Sequence, residues 1–438
     1  MKRLFPILFS VILLQIVPVS TALAQAERIA NTGSFYSGVG FGMPTDIFSP
    51  YSMGMGLSGV SNYSGFSTNI ANPAQWGLLA FTQGSLVTGL NHFNAADSRG
   101  TSQNTRFGVE QFQITFPVLR DRLGVSVSVT PIIRSDYRFR SGGLFEPIAG
   151  TSNLIRYDFE ESGSGGVNRI EAGAGLSLTN NISVGYAFSA NILSISNSVF
   201  PQFSESQYRA SPFDRKTQGY GFGHRFGLYA FTGPLFRSSD QLALGATVTL
   251  PLTIDAEELV TGFRSVNGNR QLIDFNQNSP LRNASVKMPL EINTGLTYNL
   301  NRFTNIVAEL MMQRWGEATY GFDNVQQDFF KDRLRTGVGF QYHPYRSNQP
   351  GGFFSNFKYS AGITYDTGHL KMNNLDIETL TLHAGVGIMS FRTASSIDLS
   401  FFYGMRGTDS SSLVKEDIWG FKLSLNLAEY MFVRQLFQ

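Results

Sequence analysis

The sequence predicts an all-β protein, a transmembrane antiparallel β-barrel of about 14 strands with an N-terminal plug, or hatch, inside its lumen. Three observations predict it. Only 15% of the 438 residues are charged, against roughly 25% in soluble domains, while aromatics reach 13%. Mean hydropathy is −0.07, and no run of about 20 apolar residues follows the N-terminal one, so bilayer-spanning helices do not carry the apolar content. From about residue 78 onward, apolar residues recur at every second position, as in strands between lipid and a polar lumen.

Residues 1–24 read as a secretory signal. Lys2 and Arg3 give the positive start, Leu4 to Val19 the apolar run, and Ala22-Leu23-Ala24 the small-residue cleavage site. Without Lys2 and Arg3 the 34 basic residues become 32, equal to the 32 acidic ones. That balance gives no basic stripe for nucleic acid. The chain has no cysteine, which excludes disulfides, thiol catalysis and Cys-ligated zinc.

Residues 25–77 form the expected hatch. Its centre is a compact, glycine-rich stretch carrying Gly54, Gly56 and Gly59 and ending in Asn72-Pro73-Ala74. Gly54-Met55-Gly56-Leu57-Ser58-Gly59 matches the dinucleotide-binding pattern, but it lacks the flanking strand and helix that the pattern needs. Close backbone packing inside a lumen is the better account, and no cofactor is expected.

Residues 78–427 form the expected barrel. Ile170, Ala172, Ala174, Leu176 and Leu178 alternate with Arg169, Glu171, Gly173, Gly175 and Ser177. Val286, Met288, Leu290, Ile292 and Leu296 are placed on one face, opposite Lys287, Glu291 and Asn293. Strands are expected near 78–91, 106–117, 123–137, 167–179, 182–199, 219–231, 242–250, 285–300, 304–314, 333–345, 355–367, 379–389, 396–406 and 417–427. An even count lets both ends of the wall lie in the periplasm. Gaps 118–122, 180–181 and 301–303 then read as periplasmic turns, and 138–166, 200–218, 251–284 and 315–332 as external loops. Residues 428–438 would be a periplasmic tail. A soluble sandwich with this pattern would leave too much apolar surface in water.

Chemistry is sparse. His92, His224, His343, His369 and His383 are scattered with no metal-ligand spacing, and no nucleophile elbow appears, so neither a metal nor an enzyme is expected. Glu171, Glu291 and Glu309 fall on inward positions with Arg169, Lys287 and Arg335. They make either a rigidifying ion network or a track for a substrate headgroup. Leu144, Phe145 and Ile148, and the stretch Leu252, Ile254, Leu259, Val260 and Phe263, are apolar for external loops. The second reads as an amphipathic turn or helix, and both would line a groove that collects a greasy substrate. Pro131 interrupts the third strand and predicts a bulge or kink.

The small-residue run ending in Asn72-Pro73-Ala74 resembles the FadL/TodX family of outer-membrane transporters of hydrophobic compounds. So do Leu242-Ala243-Leu244-Gly245-Ala246 with Pro251-Leu252, and the closing Tyr359–Asp366, Tyr403–Gly407 and Trp419–Phe437. The last group is similar to the Bacteroidetes branch, although Gln75 stands where the family usually has glycine. The resemblance implies a 14-stranded monomeric barrel in the Gram-negative outer membrane, in contact with its lipid, with an N-terminal hatch. It also implies passive uptake of a hydrophobic small molecule such as a long-chain fatty acid, leaving sideways near a kinked third strand at Pro131. The alternative is a FadL-like scaffold or binding barrel serving protein secretion or surface attachment.

Overall fold

The computed structural model describes residues 32–98, 100–145, 154–205, 212–266, 269–274, 282–322, 329–344, 352–390, 395–410 and 413–429. The expected signal sequence and nearly all of the expected tail lie outside these residues. The first strand, β1, is the two-residue Met43–Pro44. The wall begins with β2 (Thr82–Ala96), β3 (Thr101–Leu119), β4 (Leu123–Arg134), β5 (Tyr137–Phe145), β6 (Ile155–Ser177), β7 (Ile182–Phe203) and β8 (Phe213–Thr232). It continues with β9 (Gln241–Thr249), β10 (Leu252–Val266), β11 (Asn269–Asp274), β12 (Arg282–Met288), β13 (Glu291–Asn301), β14 (Thr304–Gln313) and β15 (Thr319–Tyr320). It ends with β16 (Arg333–Tyr342), β17 (Phe357–Asp366), β20 (Thr379–Ser390), β21 (Ser395–Arg406) and β22 (Lys415–Glu429), while β18 (Lys371–Met372) and β19 (Leu375–Asp376) form a separate hairpin between β17 and β20.

Neighbouring wall strands pair antiparallel, and β22 returns to β2 from Thr82↔Glu429 to Ala96↔Lys415, which closes a barrel of 14 staves. Among the interrupted staves are the following three, and two of them break at a proline. The stave made of β9 and β10 breaks at Leu250-Pro251, and the one made of β12 and β13 breaks at Pro289-Leu290. Proline donates nothing to a ladder, so pairing lapses there. The inward face then changes parity. Ala243, Thr247 and Thr249 point inward before Pro251, but Leu252, Ile254 and Ala256 do so after it. Likewise Val286 and Met288 are buried in the lumen, whereas Asn293 and Thr297 are the inward residues of β13. The single apolar face expected from Val286 to Leu296 is therefore two opposite faces joined at Pro289, and Lys287 lies on the outer side of its strand. The third interrupted stave is β4 with β5, parted at Ser135-Asp136.

Leu252–Phe263 is a strand of the wall, not an external turn or helix. Its apolar and acidic residues alternate with period two once Pro251 has reset the phase. Residues 138–145 and 155–166 are likewise strand, so much of two expected external loops is wall. The strands β6, β7 and β8 run 23, 22 and 20 residues, well beyond the 9–11 that cross a bilayer, and project past the membrane on the external side.

Outward positions carry Val125, Val127 and Val129, Ile170, Phe226 and Leu228, Leu382, and Leu399 and Phe401, all exposed. In water that surface would be untenable, and hydrocarbon is its natural solvent. The protein is thus an outer-membrane barrel.

Residues 33–81 lie inside the wall. Trp76, Met55, Leu57, Phe41 and Tyr36 are almost wholly buried. The wall admits this backbone because many inward positions facing it are glycine. A Cβ on Gly245 would collide with the Val60 carbonyl, one on Gly362 with the Met55 carbonyl, and one on Gly185 with Pro73. Towards the external end the lumen is filled by an apolar core that joins Tyr36 and Phe41 to Leu252, Ile254, Trp315, Tyr320, Phe330 and Leu370. The rings of Phe41, Trp315 and Phe330 lie 5.5–5.7 Å apart.

Candidate functional site

The wall is incomplete between β3 and β4. Their pairing runs from Leu119↔Leu123 to Phe112↔Val129 and stops. Beyond that point Thr101–Gln111 pairs only with β2. Two local irregularities mark the break. On β3, Glu110 is an extra residue opposite Val87 and Thr88, so Glu110 and Gln111 both turn inward. On β4, the register slips between Pro131 and Ile133, leaving Ile132 as a bulge. Pro131 thus sits at a register shift of β4, which its missing N–H accounts for.

The N-terminal segment takes up the pairing that β3 does not supply. Met43 and Pro44 of β1 pair with Arg134 and Ile133. The Thr45 N–H donates to the Ile132 carbonyl at 2.9 Å, and the Gly33 N–H to the Asp136 carbonyl at 3.0 Å. From the other side, Asn104 on β3 donates through Nδ2 to the Gly33 carbonyl at 3.2 Å. The gap is spanned from within by the protein's own leading segment.

Behind it lies a cavity of about 180 Å³, lined by Phe48, Met53, Phe93 and Phe402 and by a set of charged side chains. Five arginines of that lining are in ion pairs. Arg106 meets Glu110 at 3.1 Å, Arg134 faces Asp136 at 3.9 Å, and Arg406 meets Glu416 at 3.3 Å. Arg333 holds both Asp46, at 2.6 Å, and Asp366, while Arg335 reaches Asp46 at 3.3 Å. Asp46 is the one charged residue between positions 32 and 81. Burial opposes its ionisation, but Arg333 and Arg335 outweigh it and hold the carboxyl well below the usual carboxylate range. A narrow pocket of about 10 Å³ lies beside the kink, lined by Phe48, Met53, Val87, Glu110, Pro131 and Lys422.

Lower in the lumen, wall charges grip the backbone of the glycine-rich stretch. Glu309 accepts the N–H groups of Ser58, Gly59 and Val60 at 2.7–2.9 Å and the Ser58 hydroxyl at 2.8 Å. Arg225 donates to the carbonyls of Ile70, at 2.6 Å, and Ala71, at 3.1 Å, and is paired with Glu171. Arg335 donates to the Gly56 carbonyl at 2.6 Å. Gly56 and Gly59 have φ of +69° and +83°, backbone that favours glycine. Asn72 caps the turn Pro73–Leu78 by accepting the Ala74 N–H, and its Nδ2 donates to the carbonyls of Val60 and Leu228. Gln75 Nε2 donates to the Val60 carbonyl at 3.0 Å and its Oε1 accepts from Asn69, both contacts that a glycine could not make.

The residues expected to form an external groove are dispersed. Leu144 is 61% exposed at the end of β5, while Leu252 and Ile254 are buried in the luminal core. Leu259 points outward, Val260 and Phe263 are half-buried on β10, Phe145 closes β5, and Ile148 lies outside the described residues. Sequence reasoning did not single out Glu110, Asp46, Arg333 or Lys422. Glu110 and Lys422 sit within otherwise uncharged strand stretches, and Asp46 is the lone charge of its segment, which are the signals that could have found them.

The fold matches solved outer-membrane channels. A Pseudomonas aeruginosa FadL homologue is 13% identical, with 90% of this chain and all of that one covered and a TM-score of 0.58. The Pseudomonas putida toluene transporter TodX is 14% identical over 88% of this chain and 98% of that one, with a TM-score of 0.54. The monoaromatic hydrocarbon channel CymD is 14% identical over 92% of this chain and all of that one, with a TM-score of 0.53. At these identities the likeness shows a shared fold, the one that the resemblance to FadL and TodX had implied. No curated protein matches the chain. The profile of the BamG family matches residues 7–438, and over nearly its whole length the chain therefore belongs to the BamG family.

Proposed function

We propose that this barrel passes hydrophobic molecules, long-chain fatty acids foremost, from outside the cell into the outer membrane, without catalysing a reaction. The observation that carries this reading is the wall break between β3 and β4 beside Pro131, where the wall is completed only by the N-terminal segment and a luminal cavity lies behind it. A solute that leaves through a side wall never enters the periplasm. The hydrocarbon channels and transporters that share the fold support the reading. Burial supplies the drive, since each methylene removed from water contributes roughly 0.8 kcal/mol.

Capture is assigned to the external apolar core around Leu252, Ile254, Trp315 and Phe330, which must part to admit a chain. Residues 25–77 are assigned the role of hatch, and their movement frees the end of β4. Glu309 and Arg225 hold the stretch from Ser58 to Ala71 fast, so the part assigned to move is Met43–Phe48, held by a few backbone hydrogen bonds, Asp46, the Phe48 ring against Lys422 and Arg335, and the packing of Met43 and Ile47.

The test is uptake of radiolabelled oleate by cells carrying the protein, paired with conductance of the purified barrel in planar bilayers. Oleate uptake above that of cells lacking the protein, and a rise in conductance on deleting residues 30–70, are expected. Unchanged uptake with copurifying secretion proteins would favour the scaffold reading, and unchanged conductance would remove the hatch.

A further inference from the structure

We infer that Arg169 is a second docking point for Asp46, so that the exit is switched by moving one carboxylate between two arginine sites. The inference rests on the hatch movement of the uptake reading and names the residues between which the hatch turns. Thr45 and Asp46 line both the 180 Å³ cavity and a second one of about 50 Å³, and their segment separates the two. Roughly 10–15 Å³ already holds a water, so the second cavity has room for a carboxylate. Asp46 now reaches Arg333 and Arg335, whereas Arg169 lines the smaller cavity alone. Arg169 is buried on the inward face of β6, in register with Thr130 and Asn191. Its Nε donates to Asn191 Oδ1 at 3.3 Å, and among the described residues no carboxylate comes within ion-pair distance of it. The two acids whose charge it feels are engaged, Glu171 by Arg225 and Glu291 by Gln313 Nε2 at 2.6 Å. A guanidinium presents five donors in a planar fork that suits a carboxylate, and here one of them meets a neutral acceptor.

The two sites are balanced. When Asp46 leaves, Arg333 keeps Asp366, whose two oxygens both accept from its Nε at 3.0 Å, and Arg335 keeps the Gly56 carbonyl at 2.6 Å. No cation is stranded in the first site, and the second gains a counter-ion. One buried charge-assisted bond replaces another, which keeps the two arrangements close in free energy. Turning Asp46 from one cavity to the other rolls the backbone at 45–47 about its own axis. The roll takes the Thr45 N–H off the Ile132 carbonyl and releases the bulge beside Pro131.

The test is hydrogen exchange of the purified full-length barrel in a neutral maltoside detergent, read by mass spectrometry on the peptide that holds the Thr45 amide. Its exchange rate follows the population in which the bond to Ile132 is open. Arg169→Gln should slow this exchange about tenfold, which corresponds to one charge-assisted hydrogen bond lost from the open arrangement. Arg169→Lys should keep the wild-type rate. In an Asp46→Asn background Arg169→Gln should change nothing, whereas a merely structural part for Arg169 would act in both backgrounds. Heat-modifiable gel migration establishes that each variant is folded. No slowing by Arg169→Gln, or equal slowing in both backgrounds, would overturn the docking point while leaving the hatch standing. Exchange at Thr45 as slow as in the ladders of the wall would overturn the hatch movement as well.

Discussion

Thr45 donates its backbone N–H to the carbonyl of Ile132, so a stretch of β4 has the N-terminal segment as its neighbour where β3 should be. The bulge at Ile132 and the segment's own conformation have to agree for this bond to form. In the proposed route, opening the wall means breaking an intramolecular strand pair, and anything that fixes that pair should block the route.

Met43 and Arg134 are register partners across this pair, at a separation that suits a disulfide. A Met43→Cys/Arg134→Cys double variant should lose most oleate uptake when oxidised and recover it on reduction. Uptake that ignores the redox state would show that the pair does not move.

Glu309→Ala removes one acceptor from three backbone N–H groups in a buried place. Unsatisfied buried donors of this kind cost about 1–3 kcal/mol each, so the variant should be destabilised by at least about 3 kcal/mol. Proteolysis between residues 54 and 76 of the purified barrel should accelerate, as limited digestion followed by mass spectrometry would register.

Gly245 faces the Val60 carbonyl with no room for a side chain, whereas Gly84 and Gly108 have open space. Gly245→Val should displace the segment and raise single-channel conductance. Gly84→Ala should leave conductance unchanged, which separates crowding from a general loss of glycine.

His369, in the external connection after β17, is buried against Trp315 at a ring separation of 4.7 Å. Burial, helped by Arg333 and Arg406, pushes its pKa well below the ordinary histidine value. A base whose folded pKa is depressed contributes stability that is present above about 6.5 and is lost as pH falls below that value. Tryptophan fluorescence between pH 8 and 5 should report loosening of the Trp315 environment on the acid side, and His369→Gln should flatten that response.

The wall was legible because period two survives wherever one face meets lipid, as from Ile170 to Leu178 or Ile397 to Met405. What reading by period missed is where the phase resets. Pro251 and Pro289 each reverse the inward face, which turned Leu252 and Ile254 from a supposed groove into luminal core. The irregularity at Pro131 was legible, because a missing N–H is a local property. The partnership of Glu309 with Ser58–Val60 was not, because it joins residues about 250 apart and its donors are backbone that no side-chain pattern advertises. Asp46 had a visible cue in being the one charge of its stretch, and only the fold supplied its two arginines.

The glycine-lined fit between wall and leading segment has a consequence for biogenesis. A cylinder that tight offers no route by which a bulky segment carrying Trp76 and Met55 could be pushed in afterwards. The last ladder to form joins Thr82–Ala96 to Lys415–Glu429, and those strands stand at opposite ends of the translated wall. A sheet that curls around the segment as this ladder closes avoids that passage, which gives the leading segment a part in assembly as well as in the finished lumen.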